Sequence, residues 1–202
     1  MLSPEKILKQ YWGFDSFRSS QLDVIHSILE GNDTLVLLPT GGGKSICFQV
    51  PTMMMEGICI VVSPLIALMN DQVSTLKSKN IRAVAITSGM SHSELDITLD
   101  NCIYGNYKFL YLSPERLENE MVKVRLEKMN INLIAVDESH CISEWGYNFR
   151  PSYLKISNIR TISDAPIVAL TASATKTVVE DIQEKLEFKT KKVIKSSFYR
   201  KE

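Results

Sequence analysis

The stretch TLVLLPTGGGKS, residues 34–45, decides the fold of this chain. Its first five residues, 34–38, form an apolar run of strand length, and the character changes to that of a helix near Gly43. Three successive glycines lie between the two. Because glycine has no side chain, such a loop can turn several backbone N–H groups inward to form a nest for an anion. We therefore expect an anion-binding loop between a buried strand and a helix.

The residues that close this loop suit the phosphates of a nucleotide. A helix N-terminus adds partial positive charge, Lys44 can reach the β and γ phosphates, and the Ser45 hydroxyl can bind the magnesium ion that bridges them. Leu38 replaces the first glycine of the strict G-x-x-x-x-G-K-[ST] pattern, and a glycine-rich turn with a surface lysine is the alternative. The predicted phosphate-binding residues are Thr40, Gly41, Gly42, Gly43, Lys44 and Ser45.

Further apolar runs of strand length follow along the chain, and segments of helical periodicity separate them. This alternation predicts an α/β fold with a mostly parallel central sheet and helices on both faces. A length of 202 residues favours one domain over two. The runs lie at 58–63, 82–87, 108–113, 131–137 and 166–171, and the basic tail offers one more short strand at 192–195.

The starts and faces of several helices can be predicted. Ser63 and Ser113 each precede a proline, so each is expected to cap a helix whose first residue is that proline. Gly31 is expected to end an earlier helix in a left-handed conformation. The apolar faces are predicted to comprise Leu65, Leu68, Met69, Val73 and Leu76 in one helix and Phe17, Val24, Ile25, Ile28 and Leu29 in the earlier one.

Bulk composition excludes several classes of protein. Hydrophobic residues make up 45% and charged residues 23%, as in ordinary globular domains. The 23 basic and 23 acidic residues cancel, so any contact with nucleic acid must be local. The four cysteines are widely spaced, which indicates neither a zinc site nor disulfides. Without a signal peptide or a membrane-length apolar run, the expected location is intracellular, in the cytoplasm or bacterial nucleoid.

An acidic pair ends the apolar run at 131–137. Ligands of parallel sheets gather outside the carboxyl ends of strands, where the phosphate loop also lies. Asp137 can hold magnesium there, while Glu138 can orient or deprotonate an attacking water. A helix-capping Asp followed by a first-turn Glu is the alternative.

Five further stretches make the chain resemble the first RecA-like motor domain of superfamily 2 helicases, and among them the RecQ family. The phosphate loop and the sequence VDESH at 136–140 occur with these stretches in the order typical of that family, and together they cover nearly the whole chain. The stretches are YWGFDSFRSSQ at 11–21, VVSPLIALMNDQV at 61–73, YLSPERL at 111–117, CISEWGYNFRPSY at 141–153 and LTASAT at 170–175.

The resemblance implies a RecA-like P-loop NTPase fold and an ATP-dependent 3′–5′ DNA helicase that couples ATP hydrolysis to translocation on single strands and to duplex unwinding. Residues 1–31 would form an adenine-binding segment, with Phe14 and Arg18 on the faces of the base and Gln21 reading its edges. Residues 192–202 would begin the connection to a second RecA-like domain, which lies outside these 202 residues and supplies an arginine to the site. Alone, the chain is therefore expected to be weakly active.

The resemblance also assigns a DNA-facing side. Trp145, Phe149 and Arg150 would contact single-stranded or forked DNA, and His140 would connect nucleotide state to that side. The sequence departs from the family at 147–148, where Tyr-Asn replaces the usual His-Asp, and at Ser139, where alanine is usual. Phe149 packed inside the loop is the structural alternative, while a metal site or a Cys-His nucleophile at His140 lacks suitable partners.

Hydroxyl residues and helix starts complete these expectations. Thr171, Ser173 and Thr175 of LTASAT are suited to bind the acidic pair or the γ-phosphate, or to cap a helix. In relatives the starts of 61–73 and 111–117 hold DNA phosphates. The rival functions are a non-catalytic nucleic-acid-binding module with a vestigial phosphate loop and a small-molecule P-loop kinase. The predicted catalytic residues are Lys44, Asp137, Glu138 and His140.

Overall fold

The computed structural model describes residues 2–18, 20–39 and 43–196. Those residues contain a seven-stranded sheet of order β3-β4-β2-β5-β6-β1-β7, in which every pairing is parallel. All seven predicted strands are confirmed, with bounds that differ by at most one residue at either end. The strands are β1 Thr34–Leu37, β2 Ile58–Val62, β3 Ala83–Ile86, β4 Phe109–Leu112, β5 Ile131–Val136, β6 Ile167–Thr171 and β7 Lys192–Lys195.

Helices cover both faces of this sheet, as predicted. Alternate residues of each strand point to opposite faces, so Ile134 packs in one apolar cluster with α5, α7 and α8, and Ala135 packs in another with α2, α3 and α4. A π-helical segment, Leu8–Trp12, continues α1, and 3₁₀ segments span Ser139–Ile142 and Pro151–Thr161. The helices are α1 Pro4–Ile7, α2 Gln21–Leu29, α3 Lys44–Met54, α4 Ile66–Ser78, α5 His92–Tyr104, α6 Pro114–Leu117, α7 Glu120–Leu126 and α8 Lys176–Lys185.

The predicted start of α4 is wrong. The helix begins at Ile66, because the backbone N–H of Ser63 still donates to Leu112 and thereby extends the ladder between β2 and β4. Leu65 and Leu68 are exposed rather than part of a buried face. Met69, Val73 and Leu76 are buried as predicted.

The other helix ends follow the predictions more closely. Ser113 caps α6, since its side chain accepts a hydrogen bond from the backbone N–H of Arg116. Gly31 has a φ of 85° just beyond α2, as expected of a left-handed stop. Phe17 precedes α2 and Leu29 is partly exposed, so the predicted face is correct only for Val24, Ile25 and Ile28.

A buried aspartate holds the edge of the sheet opposite the phosphate loop. The Asp33 carboxylate accepts from Arg160 Nη2 at 2.7 Å, from the backbone N–H of Ile167 at 2.9 Å and from that of Lys189 at 2.7 Å. These groups belong to the Pro151–Thr161 segment, to the start of β6 and to the loop before β7. One side chain therefore joins the starts of β1 and β6 to two other segments.

All four cysteines are buried free thiols. None of the helices in the described part of the chain combines the length and apolar character that crossing a bilayer requires.

Candidate active site and DNA-facing loop

The phosphate loop connects β1 to α3 at the carboxyl edge of the sheet. Gly43 precedes α3 with a φ of 76°, a left-handed conformation that glycine adopts without strain. A Cβ atom at this position would collide with the side-chain amide of Gln21. Lys44 is the first residue of α3 and Ser45 the second. The predicted ligands Thr40, Gly41 and Gly42 lie outside the described residues.

The acidic pair follows β5 at the same edge. The backbone N–H of Asp137 donates to the Val62 carbonyl at 2.9 Å, which fixes the end of β5 against β2. Glu138 has a φ of 49°, a conformation that is costly for a residue with a side chain and that concentrates at functional sites. Its N–H donates to Asp137 Oδ1 at 2.9 Å. The alternative, in which Asp137 caps a helix, is wrong, because no side chain caps the Ser139–Ile142 segment.

Lys44 and Glu138 meet across this edge. The Nζ atom of Lys44 lies 4.0 Å from Glu138 Oε1, and both side chains are mostly buried. The fold thus brings together the phosphate loop and the acidic pair, which are far apart in sequence. Lys44 and Glu138 thus form a neighbouring cation and carboxylate that would both face the γ-phosphate of a bound nucleotide.

Asp137 and Ser45 offer oxygen ligands of the kind that magnesium prefers. Burial raises the pKa of Asp137, and the charge of Lys44 opposes that rise. A carboxylate desolvated in this way gains from a nearby cation. Within residues 2–18, 20–39 and 43–196, no group of three His, Cys, Asp or Glu residues could hold a metal alone. Ser45 and Asp137 therefore fit a magnesium ion whose other ligands would be nucleotide phosphates and water, as is usual for magnesium.

His140 links Glu138 to the strand β6. Its Nδ1 lies 2.8 Å from Thr171 Oγ1, and its Nε2 lies 3.5 Å from Glu138 Oε2. The Thr171 hydroxyl lies 2.8 Å from His140 Nδ1 and 3.2 Å from the carbonyl of Ser173, and the tautomer of His140 sets which atom donates in the shorter contact. Burial lowers the pKa of His140 against the opposing effect of Glu138. The two ring nitrogens of His140 therefore connect Thr171 to Glu138.

The hydroxyl residues of LTASAT divide between two roles. Thr171 binds His140 rather than the acidic pair. Thr175 caps α8 by accepting from the backbone N–H of Val178, as the structural alternative predicted. The Ser139 hydroxyl, where alanine is usual, is fully buried and donates to the Leu170 carbonyl at 3.1 Å. The Ser139 side chain thus adds a second tie between the acidic-pair segment and β6.

Of the predicted adenine-binding residues, Gln21 contacts the phosphate loop. Phe14 is 54% exposed, so its ring is available for stacking and is not part of the core. Gln21 is buried; its Oε1 accepts from the backbone N–H of Arg18 at 2.8 Å, and its Nε2 donates to the Gly43 carbonyl at 3.1 Å. A side-chain amide retains one further donor and one further acceptor after these bonds. Gln21 therefore joins the adenine segment to the phosphate loop, while contact with adenine stays a prediction.

The aromatic loop, defined here as residues 143–150, exposes two of its rings. Trp145 is 76% and Tyr147 84% exposed. The loop is held at its base, where the Ser143 hydroxyl donates to Asp181 Oδ2 of α8 at 2.6 Å and accepts from the backbone N–H of Trp145 at 3.2 Å. Exposed rings on an anchored loop are suited to stacking on the bases of a single strand.

Two residues of the aromatic loop turn back toward the site. The Tyr147 ring lies beside the His140 ring, with centroids 6.3 Å apart. Arg150 lies against the Cys141 thiol, and within the described part of the chain its Nε is buried without a hydrogen-bond partner. Phe149 is half-buried. Of the three predicted DNA contacts, Trp145 is the most exposed, whereas Phe149 and Arg150 are only partly exposed.

Tyr153 is a site residue that sequence reasoning missed. Its side chain is completely buried, and its hydroxyl donates to the Asp137 carbonyl at 2.9 Å. The stretch PSY at 151–153 carries no local signal of this contact, because the partner lies sixteen residues earlier. Only the paths of two irregular segments bring Tyr153 and Asp137 together.

A phosphate loop and an acidic pair at the carboxyl edge of a parallel sheet are typical of the P-loop class of nucleotide-binding proteins. Residues 18–182 match the DEAD/DEAH box helicase family, and the chain belongs to that family.

Curated relatives narrow this class. The probable ATP-dependent DNA helicase RecS of Bacillus subtilis (strain 168) is 46% identical over 189 residues, which cover 93% of this chain and 38% of that protein. The ATP-dependent DNA helicase RecQ of the same organism is 42% identical over 200 residues, which cover 97% of this chain and 34% of that protein. The expected resemblance to RecQ helicases is confirmed. The chain spans a little over a third of the length of these relatives.

Solved structures agree in fold. The helicase domain of Pyrococcus furiosus Hef matches with a TM-score of 0.67 at 19% identity, over 88% of this chain and 38% of that one. The DUF1998 helicase MrfA bound to DNA matches with a TM-score of 0.74 at 17% identity, over 96% of this chain and 29% of that one. The predicted RecA-like α/β fold is confirmed.

Proposed function

We propose that the chain is the ATP-binding motor domain of an ATP-dependent 3′–5′ DNA helicase, in which ATP hydrolysis drives translocation on single-stranded DNA and duplex unwinding. The observation that carries this proposal is the approach of Lys44 to Glu138 at 4.0 Å, since it joins a phosphate-binding cation to a carboxylate at one sheet edge. The relatives named ATP-dependent DNA helicases support the choice of nucleotide and polymer.

Each residue of the edge has a role in this proposal. Lys44 and the phosphate loop bind the β and γ phosphates, and Ser45 and Asp137 would hold a magnesium ion, which would supply positive charge beside the phosphates. Glu138 orients the attacking water and accepts its proton. Its left-handed backbone and the nearby His140 fix the direction of the carboxylate.

The aromatic loop is the proposed contact with a single strand or a forked duplex. Trp145 stacks on a base, which requires no net positive charge on the domain. Tyr147 of that loop lies beside His140, with ring centroids 6.3 Å apart, so a movement of the loop reaches the acidic pair through this ring contact. Contacts of DNA phosphates with the starts of α4 and α6, and a location in the nucleoid or elsewhere inside the cell, remain predictions.

A second RecA-like domain is the proposed partner, because the relatives are much longer than this chain. An arginine supplied across a domain interface contributes about 10³–10⁵-fold to hydrolysis in related phosphoryl-transfer proteins. We expect the 202-residue chain alone to bind ATP and hydrolyse it slowly, and the two-motor protein to show turnover stimulated by single-stranded DNA and to unwind a duplex with a 3′ tail. Steady-state ATPase and strand-separation assays of both proteins check this. Fast DNA-stimulated turnover by the chain alone would contradict the need for a second domain.

A vestigial phosphate loop in a non-catalytic module is the rival proposal. It predicts that the residues required for hydrolysis have been replaced. Lys44, Asp137 and Glu138 are nevertheless present, and Lys44 lies beside Glu138. A small-molecule kinase leaves the exposed rings of Trp145 and Tyr147 unexplained.

Gln21→Ala tests the adenine assignment. The amide can pair with both the amino group and N7 of adenine, whereas guanine presents a second acceptor in place of the amino group. Paired bonds of this kind discriminate between bases by about 1–3 kcal/mol, so the ratio of ATP to GTP affinity is expected to fall by about tenfold. Competition of the two nucleotides against a fluorescent ATP analogue measures that ratio.

Gln49→Ala is the matched control for Gln21→Ala, because Gln49 is an equally buried glutamine whose amide donates to the Tyr111 hydroxyl. Its base preference is expected to equal that of the unaltered chain. An unchanged preference in Gln21→Ala as well would remove the adenine-reading assignment.

A further inference from the structure

Tyr153 lies directly behind the acidic pair. It belongs to the Pro151–Thr161 segment, which follows the aromatic loop without interruption. Its side chain is completely buried, and its hydroxyl donates to the Asp137 carbonyl at 2.9 Å. Burial raises the pKa of this hydroxyl, so it stays protonated and remains a donor throughout the neutral pH range.

The hydrogen bond acts on a single peptide group, the one between Asp137 and Glu138. Its carbonyl is held by Tyr153, and its N–H is held by Asp137 Oδ1 at 2.9 Å. Glu138 follows with a φ of 49°. Because a rotation of this peptide changes the φ of Glu138, the two hydrogen bonds together set the direction of its side chain.

The same tyrosine is tied to the base of the aromatic loop. Its backbone N–H donates to the Arg150 carbonyl at 3.0 Å, and the N–H of Arg150 donates to the Cys141 carbonyl at 2.8 Å. Pro151 lies between Arg150 and Tyr153 and restricts the backbone there. A displacement of residues 143–150 by a bound strand therefore moves Tyr153 as well.

We propose that Tyr153 is a positioning residue that transmits the state of the aromatic loop to Glu138 through the Asp137 carbonyl. This route is separate from the ring contact between Tyr147 and His140. The inference deepens the proposed function and rests on it, since it names the means by which single-stranded DNA regulates hydrolysis at the same site.

Tyr153→Phe in the two-motor protein tests this inference. The change removes one hydroxyl and keeps the ring, so the core packing is retained. We expect the ratio of DNA-stimulated to basal kcat to fall at least fivefold, while the KM for ATP and the Kd for single-stranded DNA stay within twofold of their original values. A purely structural role would lower basal and DNA-stimulated turnover together and leave their ratio unchanged.

Tyr111→Phe is the matched control. Tyr111 is an equally buried tyrosine of the same domain; its hydroxyl donates to Gln72 Oε1 at 2.7 Å and accepts from Gln49 Nε2 at 3.1 Å, so both of its bonds are to glutamines rather than to the acidic pair. Tyr153→Phe loses one buried hydrogen bond and Tyr111→Phe loses two, and both variants are expected to melt a few degrees lower. Only Tyr153→Phe is expected to lose DNA stimulation, and equal stimulation in the two variants would overturn the inference.

Pro151→Gly provides a second test that leaves the hydroxyl in place. Pro151 is exposed, so the change removes backbone restriction without opening the core. Reduced stimulation with unchanged basal turnover supports the inference; equal loss of basal and stimulated rates in either variant overturns it. If the unaltered two-motor protein shows no stimulation by DNA, the proposed function itself falls, which distinguishes that failure from a failure of Tyr153 alone.

Discussion

Glu138→Gln is expected to reduce ATP hydrolysis by about 10²–10⁴-fold while leaving ATP binding nearly unchanged, because a general base contributes about that much to catalysis. Glutamine keeps the size of the side chain but cannot accept the proton of the attacking water. Removal of the negative charge 4.0 Å from Lys44 also leaves that cation free for the phosphates. Single-turnover hydrolysis and equilibrium binding of ATP, both measured in the two-motor protein, separate the two effects.

Glu118→Gln is the matched control, since Glu118 has almost the same exposure as Glu138 and pairs with Lys123 at 3.4 Å outside the site. Its hydrolysis rate is expected to stay within twofold of the unaltered protein. A Glu138→Gln variant that retained full turnover would show that another group activates the water.

Asp33→Ala is expected to lower the free energy of unfolding by about 3–5 kcal/mol, the usual effect of breaking a buried ion pair from one side. Asp33 and Arg160 are both nearly inaccessible, and their contact is 2.7 Å. The substitution leaves the Arg160 guanidinium without its carboxylate and removes the acceptor of two backbone N–H groups, those of Ile167 and Lys189. Urea denaturation of the 202-residue chain measures the loss.

Asp164→Ala is the control for that measurement. Asp164 lies 3.9 Å from the side chain of Lys189 but is almost fully exposed, and exposed pairs contribute little to stability. We expect no measurable change in the denaturation midpoint. If Asp33→Ala also left the midpoint unchanged, the buried carboxylate would not be what holds the starts of β1 and β6.

The sheet could be predicted from sequence because its signal is local. The six strands before β7 are short, largely buried apolar runs, and parallel strands connected through helices have few alternatives in topology. The same holds for Lys44, which begins the helix after β1, and for Asp137 and Glu138, which follow β5, since the carboxyl ends of parallel strands share one edge. For these residues, position along the chain determines position in space.

Contacts between distant irregular segments could not be predicted in this way. Ser63 carries the local signal of a helix cap, yet the strand ladder continues through it, and α4 begins only at Ile66. The bonds of Thr171 to His140 and of Tyr153 to Asp137 depend on the paths of loops whose sequence has no periodicity. Tertiary packing decides such contacts, and it also turns Arg150 partly inward.

Binding of ATP to the 202-residue chain, measured with and without the Lys44 side chain, tests the central claim most directly. The site predicts saturable, magnesium-dependent binding of a fluorescent ATP analogue that unlabelled ATP displaces. It also predicts that Lys44→Ala weakens this binding by more than tenfold, whereas Lys123→Ala, which removes a lysine paired only at the surface of α7, leaves it unchanged. Equal affinity in the unaltered chain and Lys44→Ala, or no binding by either, would contradict the assignment of this sheet edge as an ATP site.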